Sequence, residues 1–552
     1  MEKEAMNVED MGDDLAELDL PEYVEQALDT YAGGSGRFQY LYLFLLGLPW
    51  SFGAMLIYVA IFAGKSDAAK AAAEQLNCTL LDGQRPSNFT DAHGAVIPAW
   101  DSYVLEFDLL CGRKDLAPLL STLYFAGFMV GVPLFGALSD RFGRRTAYIV
   151  PLVVVELGAC LSAVAPGYTS YAASRVITGF GNAGFGLVAY VWCAEVLGPE
   201  LRTSMTWAPN VLWSLGQMLL SLLAFWLRPW RHLSWAVFIL GLGFFLYFPV
   251  LKESPKWLAS KGRSQEAYNV LCQIARMNGG RRPPKPPSAN TSTLLKKGGS
   301  QGGNLLQLLD RRLLPRFLIM CLAWFCTSLA YFGLSLNATS LPLNPYMANV
   351  VGAAVAIPAY YLATLMIECR AIGRRGTVCF GFLLAGLCLL LSMLCSTTDD
   401  SPTQPTANVT LANATLVSRD GGANATAAGG AGEDQANSIF KIVLYYTANT
   451  AMSMVFAVIY IYATELFPTD IRASAMGLQS LCARIGSMSA PFVAQLPTRV
   501  ALMVFAAPCI VAGLAALLLP ETRGKPLPDT IEDLDADAGG ESSSEETSDS
   551  SE

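Results

Sequence analysis

Gly136-Ala-Leu-Ser-Asp140-Arg141-Phe-Gly143-Arg144-Arg145 closes the second of the chain's long apolar runs, and Cys369-Arg-Ala-Ile-Gly-Arg-Arg375 closes the eighth, 230 residues on from Ser139 to Cys369. After the fourth run stands Glu195-Val-Leu-Gly-Pro-Glu-Leu-Arg202-Thr-Ser204. After the tenth stands Glu465-Leu-Phe-Pro-Thr-Asp-Ile-Arg472-Ala-Ser474, an offset of 270. The Glu and Arg are seven residues apart both times, and the two offsets differ by 40, the approximate length of an insertion at 397–438. A third echo pairs Lys252-Glu-Ser-Pro-Lys256, after the sixth run, with Pro520-Glu-Thr-Arg-Gly524, after the twelfth. Short basic loops alone would explain one echo. Three in the same order make duplication of a six-helix unit the better reading.

The apolar runs between these motifs lie at about 40–64, 116–138, 146–166, 170–194, 207–228, 232–251, 313–336, 346–368, 376–396, 439–463, 473–496 and 499–520. Each approaches the roughly 20 residues that a helix needs to cross a hydrocarbon core. The chain is 53% hydrophobic and 15% charged, where soluble domains average about 25% charged. The predicted class is therefore an all-α integral membrane protein with twelve spans in two pseudo-symmetric bundles. The net charge of −8 divides unevenly: residues 1–30 and 521–552 each carry 11 acidic groups, and residues 31–520 carry 34 basic against 23 acidic. The basic residues are scattered between apolar runs, so nucleic-acid binding finds no support. With two histidines far apart, His93 and His232, no metal or cofactor is expected. No nucleophile–base pair or phosphate loop points to an enzyme.

Two signals orient the chain. No signal peptide precedes the first run, so the amino terminus is expected in the cytoplasm, and the segments then facing inward hold 25 of the 37 Lys and Arg against 9 facing outward. Asn-x-Ser/Thr sequons, usable only outside, agree: Asn77, Asn88, Asn337, Asn408, Asn413 and Asn424 fall in outer loops, and Asn290 alone falls inside. The domain reading is an acidic cytoplasmic N-terminus (1–39), a first bundle (40–251) with an outer loop at 65–115, and a cytoplasmic linker (252–312). A second bundle (313–520) with a disordered, glycosylated outer loop at 397–438 follows, then an acidic Ser-rich cytoplasmic tail (521–552). Within the linker, 261–278 reads as an amphipathic helix. Cys78 and Cys111 are the two of 13 cysteines placed on the oxidising side, where a disulfide between them is expected.

Gly136–Arg145 resembles the loop signature of the major facilitator superfamily, and Glu253-Ser254-Pro255 is shared with several of its families. The long first outer loop, Phe107-Asp-Leu-Leu-Cys111, Glu465-Leu-Phe-Pro468 and Pro520-Glu-Thr-Arg-Gly-Lys-Pro-Leu-Pro-Asp-Thr-Ile531 resemble the organic cation, anion and zwitterion transporter family. Trp324-Phe-Cys-Thr-Ser-Leu-Ala-Tyr331-Phe-Gly-Leu-Ser335 and Ile357-Pro-Ala-Tyr360 look like its carnitine and organic cation branch, where typical anion transporters have a lysine in place of Tyr360. The likeness covers about residues 36–534 and implies a plasma-membrane secondary carrier.

Charge inside the membrane supplies the site residues. Arg484 falls at the centre of the eleventh run, where a charge costs roughly 2.5–3.5 kcal/mol on insertion scales. It is read as a fixed cation for a substrate carboxylate; the other reading is a structural ion pair with Glu156 or Glu465. The resemblance implies that an Arg here marks anion or zwitterion carriers. Trp213, Tyr331, Tyr360 and Tyr446 are candidate rings for a quaternary ammonium. Asp140, Arg141, Arg144, Arg145, Glu195, Arg202, Glu465 and Arg472 form a candidate conformational gate at the inner helix ends, since a carrier needs a bistable element. The expected cargo is a small organic ion, carnitine-like or cationic, with the bilayer as the other partner and a coupling ion, sodium or proton, left open. An organic anion exchanger and a non-transporting receptor on a carrier scaffold stand as alternatives.

Overall fold

The computed structural model describes residues 20–33, 35–64, 88–90, 96–98, 101–198, 201, 203–286, 305–338, 341, 343–394 and 426–524. Helix α1 (Leu20–Thr30) precedes the membrane body. The first six long helices are α2 (Arg37–Ala63), α4 (Leu116–Phe142), α5 (Arg144–Val164), α6 (Tyr168–Val196), α7 (Ala208–Trp226) and α8 (Trp230–Leu242). Between α2 and α4 lie a two-stranded ribbon, β1 (Asn88–Thr90) and β2 (Val96–Pro98), and the short α3 (Tyr103–Glu106). After α9 (Pro255–Ser260) and α10 (Ser264–Asn278) come α11 (Leu314–Asn337), α12 (Pro345–Glu368), α13 (Gly373–Leu394), α14 (Thr426–Leu466), α15 (Thr469–Val493) and α16 (Thr498–Ala516).

In hydrocarbon every backbone N–H and C=O must be satisfied within the segment, which forces these runs into helices. Eleven of the twelve long helices are apolar enough by composition to cross a membrane. The twelfth, α15, carries Asp470, Arg472 and Arg484 and is the least apolar. Small residues let helices touch: a Cβ on Gly127 of α4 would meet the Val176 carbonyl of α6 at 2.1 Å.

The helices pack as two sixes, α2 with α4–α8 and α11 with α12–α16, which meet along two lines, α4 on α15 and α7 on α12. The face where α2 begins and α16 ends is called proximal here, and the opposite face distal. Toward the distal face Gln217 Nε2 of α7 donates to Asn349 Oδ1 of α12 at 2.6 Å. Asn349 Nδ2 in turn donates to Ser221 Oγ at 2.6 Å. On the other line Thr122 Oγ1 donates to the Met488 carbonyl at 2.8 Å.

Two stretches depart from the sequence reading. Residues 20–30, grouped by charge with an acidic tail, form α1, whose Tyr23, Val24, Ala27 and Leu28 are fully buried against α9 and α10. Tyr23 Oη donates to the Pro284 carbonyl at 2.5 Å, and Lys256 reaches Glu25 at 3.0 Å. The second is α14, which starts at Thr426 inside the stretch expected to be disordered. Its alanines favour helix, and a membrane helix already nucleated extends at one hydrogen bond per added residue. Asn88 opens β1, while Asn77, Asn408, Asn413, Asn424 and Cys78 lie outside the described residues. Asn337 ends α11 at 7% exposure, so this sequon is not presented to solvent in the structure.

Candidate functional site: two proximal charge nodes and a central cavity

Gly143, at φ +94°, turns the chain from α4 into α5. A Cβ there would stand 2.5 Å from Glu253 Oε2, because Glu253 folds over the turn. Its carboxylate accepts the Arg144 N–H at 2.8 Å and the Arg145 N–H at 3.1 Å, capping α5 with negative charge where the helix dipole favours it. Arg144 then points inward. It grips Glu195 through Nη2 at 2.6 Å and Nε at 3.0 Å, and its Nη1 reaches the Ser139 carbonyl at 2.9 Å and Asp140 Oδ1 at 2.9 Å.

The second half repeats the arrangement. Gly373, at φ +63°, turns into α13 under Glu521, whose carboxylate accepts the Arg374 N–H at 2.8 Å and the Arg375 N–H at 3.0 Å. Arg374 Nη2 donates to Glu465 at 3.1 Å, and the Thr522 hydroxyl donates to the other Glu465 oxygen at 2.6 Å. All three sequence echoes therefore meet in one node per half. Of the remaining gate candidates, Arg145 lies at the Glu253 cap and Arg141 lies exposed over the Phe142 ring. Arg472 Nε bonds the Phe467 carbonyl at 3.1 Å, and Arg202 is outside the described residues.

Between the halves lies a cavity of about 160 Å³. Its walls are aromatic, with Trp50, Trp213, Tyr190, Tyr331, Phe456 and Tyr460 prominent, and its polar groups include Asn182, Asn210 and Ser480. Arg484 is the one charged side chain among the lining residues. It is 9% exposed, shares the cavity wall with Tyr460, leaves its Nε unpartnered and pairs with no carboxylate among the described residues. Neither carboxylate considered from sequence as a structural partner serves it. Glu465 is held by Arg374 and Thr522, and Glu156 is buried on α5 against Gly241 of α8, with neither oxygen hydrogen-bonded.

Trp213 and Tyr331 line the cavity with Arg484; Tyr360 and Tyr446 do not. Tyr360 is buried outside that lining, and Tyr446 donates to the Ala348 carbonyl at 2.8 Å. The sequence reading missed Phe128, Asn182, Tyr190, Phe456 and Tyr460. Helical spacing held part of the signal: Asn182, Phe185, Gly186 and Tyr190 make one stripe of α6, and Ser480 stands one turn before Arg484.

Two six-helix bundles closing on a central cavity with a buried, uncompensated cation define a membrane carrier of the major facilitator type. The chain belongs to the Sugar (and other) transporter family, whose model matches residues 112–533, and within it to solute carrier family 22. It is 30% identical over 457 residues to solute carrier family 22 member 15 of Xenopus tropicalis, covering 82% of this chain and 78% of that protein. It is likewise 30% identical over 539 residues to organic anion transporter 3 of Sus scrofa, covering 91% of this chain and 92% of that one. The organic cation transporter protein of Drosophila melanogaster is 30% identical over 444 residues, 78% of this chain and 74% of its own. Among solved structures the proton:xylose symporter XylE shares the fold, with a TM-score of 0.56 at 18% identity over 90% of this chain and 99% of the symporter. The chain is thus a multi-pass membrane transporter and not an enzyme.

Proposed function

We propose that the chain is a secondary active carrier that moves small organic ions across the plasma membrane by alternating access, with carnitine-like zwitterions or organic cations as the principal cargo. The observation that supports this is Arg484, a cation without counter-charge in an aromatic cavity. A substrate carboxylate would satisfy its free donors in bidentate fashion, and Trp213 and Tyr331 offer ring faces to a quaternary ammonium. Relatives named for organic cations and for organic anions lie at the same identity, so cargo charge must be argued from the cavity. Both termini are assigned to the cytoplasm from the bias of Lys and Arg, which makes the proximal face cytoplasmic. The two nodes then stand as the inner gate, with a sodium ion or proton as the open question of coupling.

A second reading, an organic anion exchanger, is favoured by one observation: no Asp or Glu is among the lining residues. Uptake of labelled carnitine, glutarate and tetraethylammonium by cells expressing wild type or Arg484→Ala separates these. Carnitine uptake lost in the variant at unchanged surface level supports the zwitterion site, and Arg484-dependent uptake of glutarate alone moves the reading to anions. Tetraethylammonium uptake indifferent to Arg484 removes the arginine from the site. No uptake of any probe favours a receptor built on the carrier scaffold.

A further inference from the structure

Arg484 belongs to the second half, yet a ring from the first lies against its guanidinium. Phe128 of α4 lies with its centroid 4.0 Å from Arg484 Cζ, and both residues line the cavity. They sit on the α4–α15 line where the halves meet. One turn past Arg484, the Met488 carbonyl accepts from Thr122 of the same α4. A guanidinium over a ring can keep its N–H groups free, and here Nε has no partner. The ring thus holds the guanidinium in contact while its Nε stays free for a carboxylate, and the negative face of Phe128 offsets part of the buried charge.

We propose that Phe128 is a positioning and specificity-determining residue: it orients Arg484 for the substrate carboxylate, and, coming from the opposite half, it completes that site only while α4 and α15 are together. This rests on the reading of Arg484 as the carboxylate site. Its consequence is a link between affinity and gating. A substrate that prefers the completed site stabilises the arrangement with α4 against α15, and parting the halves along this line loosens the substrate by the same factor.

The test is uptake kinetics of Phe128→Leu and Phe128→Tyr, with labelled carnitine or glutarate, whichever wild type takes up. Leucine keeps apolar bulk but has no ring. We expect it to raise KM about tenfold, equivalent to about 1.4 kcal/mol, with the maximal rate changed far less, and tyrosine to hold KM within about threefold of wild type. Equal KM in wild type and the leucine variant overturns the proposal. So does a fall in maximal rate at constant KM, which marks a packing role. Should the leucine variant fail to reach the surface, the thermal shift induced by the same probe on purified Phe128→Met and Phe128→Tyr decides. A shift kept by tyrosine and lost by methionine supports the proposal, and equal shifts overturn it. Loss of uptake in Arg484→Ala with Phe128 variants unchanged refutes only this inference, whereas uptake indifferent to Arg484 refutes the reading beneath it.

Discussion

The two proximal nodes are copies that have diverged in how their arginines are held. Arg144 binds two carboxylates, Glu195 and Asp140, and also the Ser139 carbonyl. Arg374 binds one, Glu465, with the Ile367 carbonyl, and the residue matching Asp140 is Arg370. The dependence also runs the other way. Glu465 keeps a hydroxyl donor from Thr522 at 2.6 Å, while Glu195 has no partner other than Arg144 among the described residues. The same three motifs thus build a first-half node that hangs on one arginine and a second-half node with a reserve.

That difference is broken most directly by removing each arginine. Arg144→Ala strands Glu195; the pair is partly buried, so the loss should stay below the about 3–5 kcal/mol that removing one partner of a fully buried ion pair costs. Arg374→Ala leaves Glu465 its hydroxyl and should cost visibly less. Thermal unfolding of the purified carriers reads the order, and equal losses, or a larger one for Arg374→Ala, would sink the comparison.

The turns come next. Gly143 has φ +94° and ψ +165°, a region reserved for glycine, whereas Gly373 has φ +63°, within the narrow range of positive φ that other residues enter at smaller cost. Alanine at either position crowds the capping carboxylate, at 2.5 Å from Glu253 and 2.4 Å from Glu521. Both variants should lower the unfolding temperature, Gly143→Ala by the equivalent of about 2–3 kcal/mol and Gly373→Ala by about 1 kcal/mol less, in line with backbone strain of roughly 1–3 kcal/mol per residue. Indistinguishable shifts would mean that the carboxylate clash, common to both, outweighs the backbone.

How much of this could be read from residues follows the same division. The helices were legible because hydrocarbon leaves a chain no other conformation, and the nodes because duplication wrote each motif twice. Arg484 stood out because a charge at mid-span is costly and so must serve something. The aromatic wall was only half legible. Tyr446 satisfies its hydroxyl on a backbone carbonyl behind the wall, while Phe128 and Tyr460 reach the cavity only through the approach of two separate bundles, which no local spacing encodes. Helix α1 was masked by its acidic composition, although Tyr23, Val24, Ala27, Leu28 and Tyr31 recur at a helical period.

The smallest effect on stability belongs to the residue that the second half lacks. Asp140 bonds Arg144 at 2.9 Å, but its side chain is 79% exposed, and exposed pairs contribute about 0.2–1 kcal/mol. Asp140→Asn should therefore fold and reach the surface like wild type. Transport is a different matter. Glu195 already neutralises Arg144, so a second carboxylate adds little to a static node. It matters only where the two orientations of the carrier differ in how they hold Arg144, because a contact formed in one state alone biases the equilibrium by its full strength. Lower uptake at unchanged surface level is the expected result, with Arg370→Asp, which gives the second half the carboxylate it lacks, as the companion variant. If Asp140→Asn transports normally, the extra carboxylate is ornamental, and the asymmetry between the halves is one of stability and not of gating.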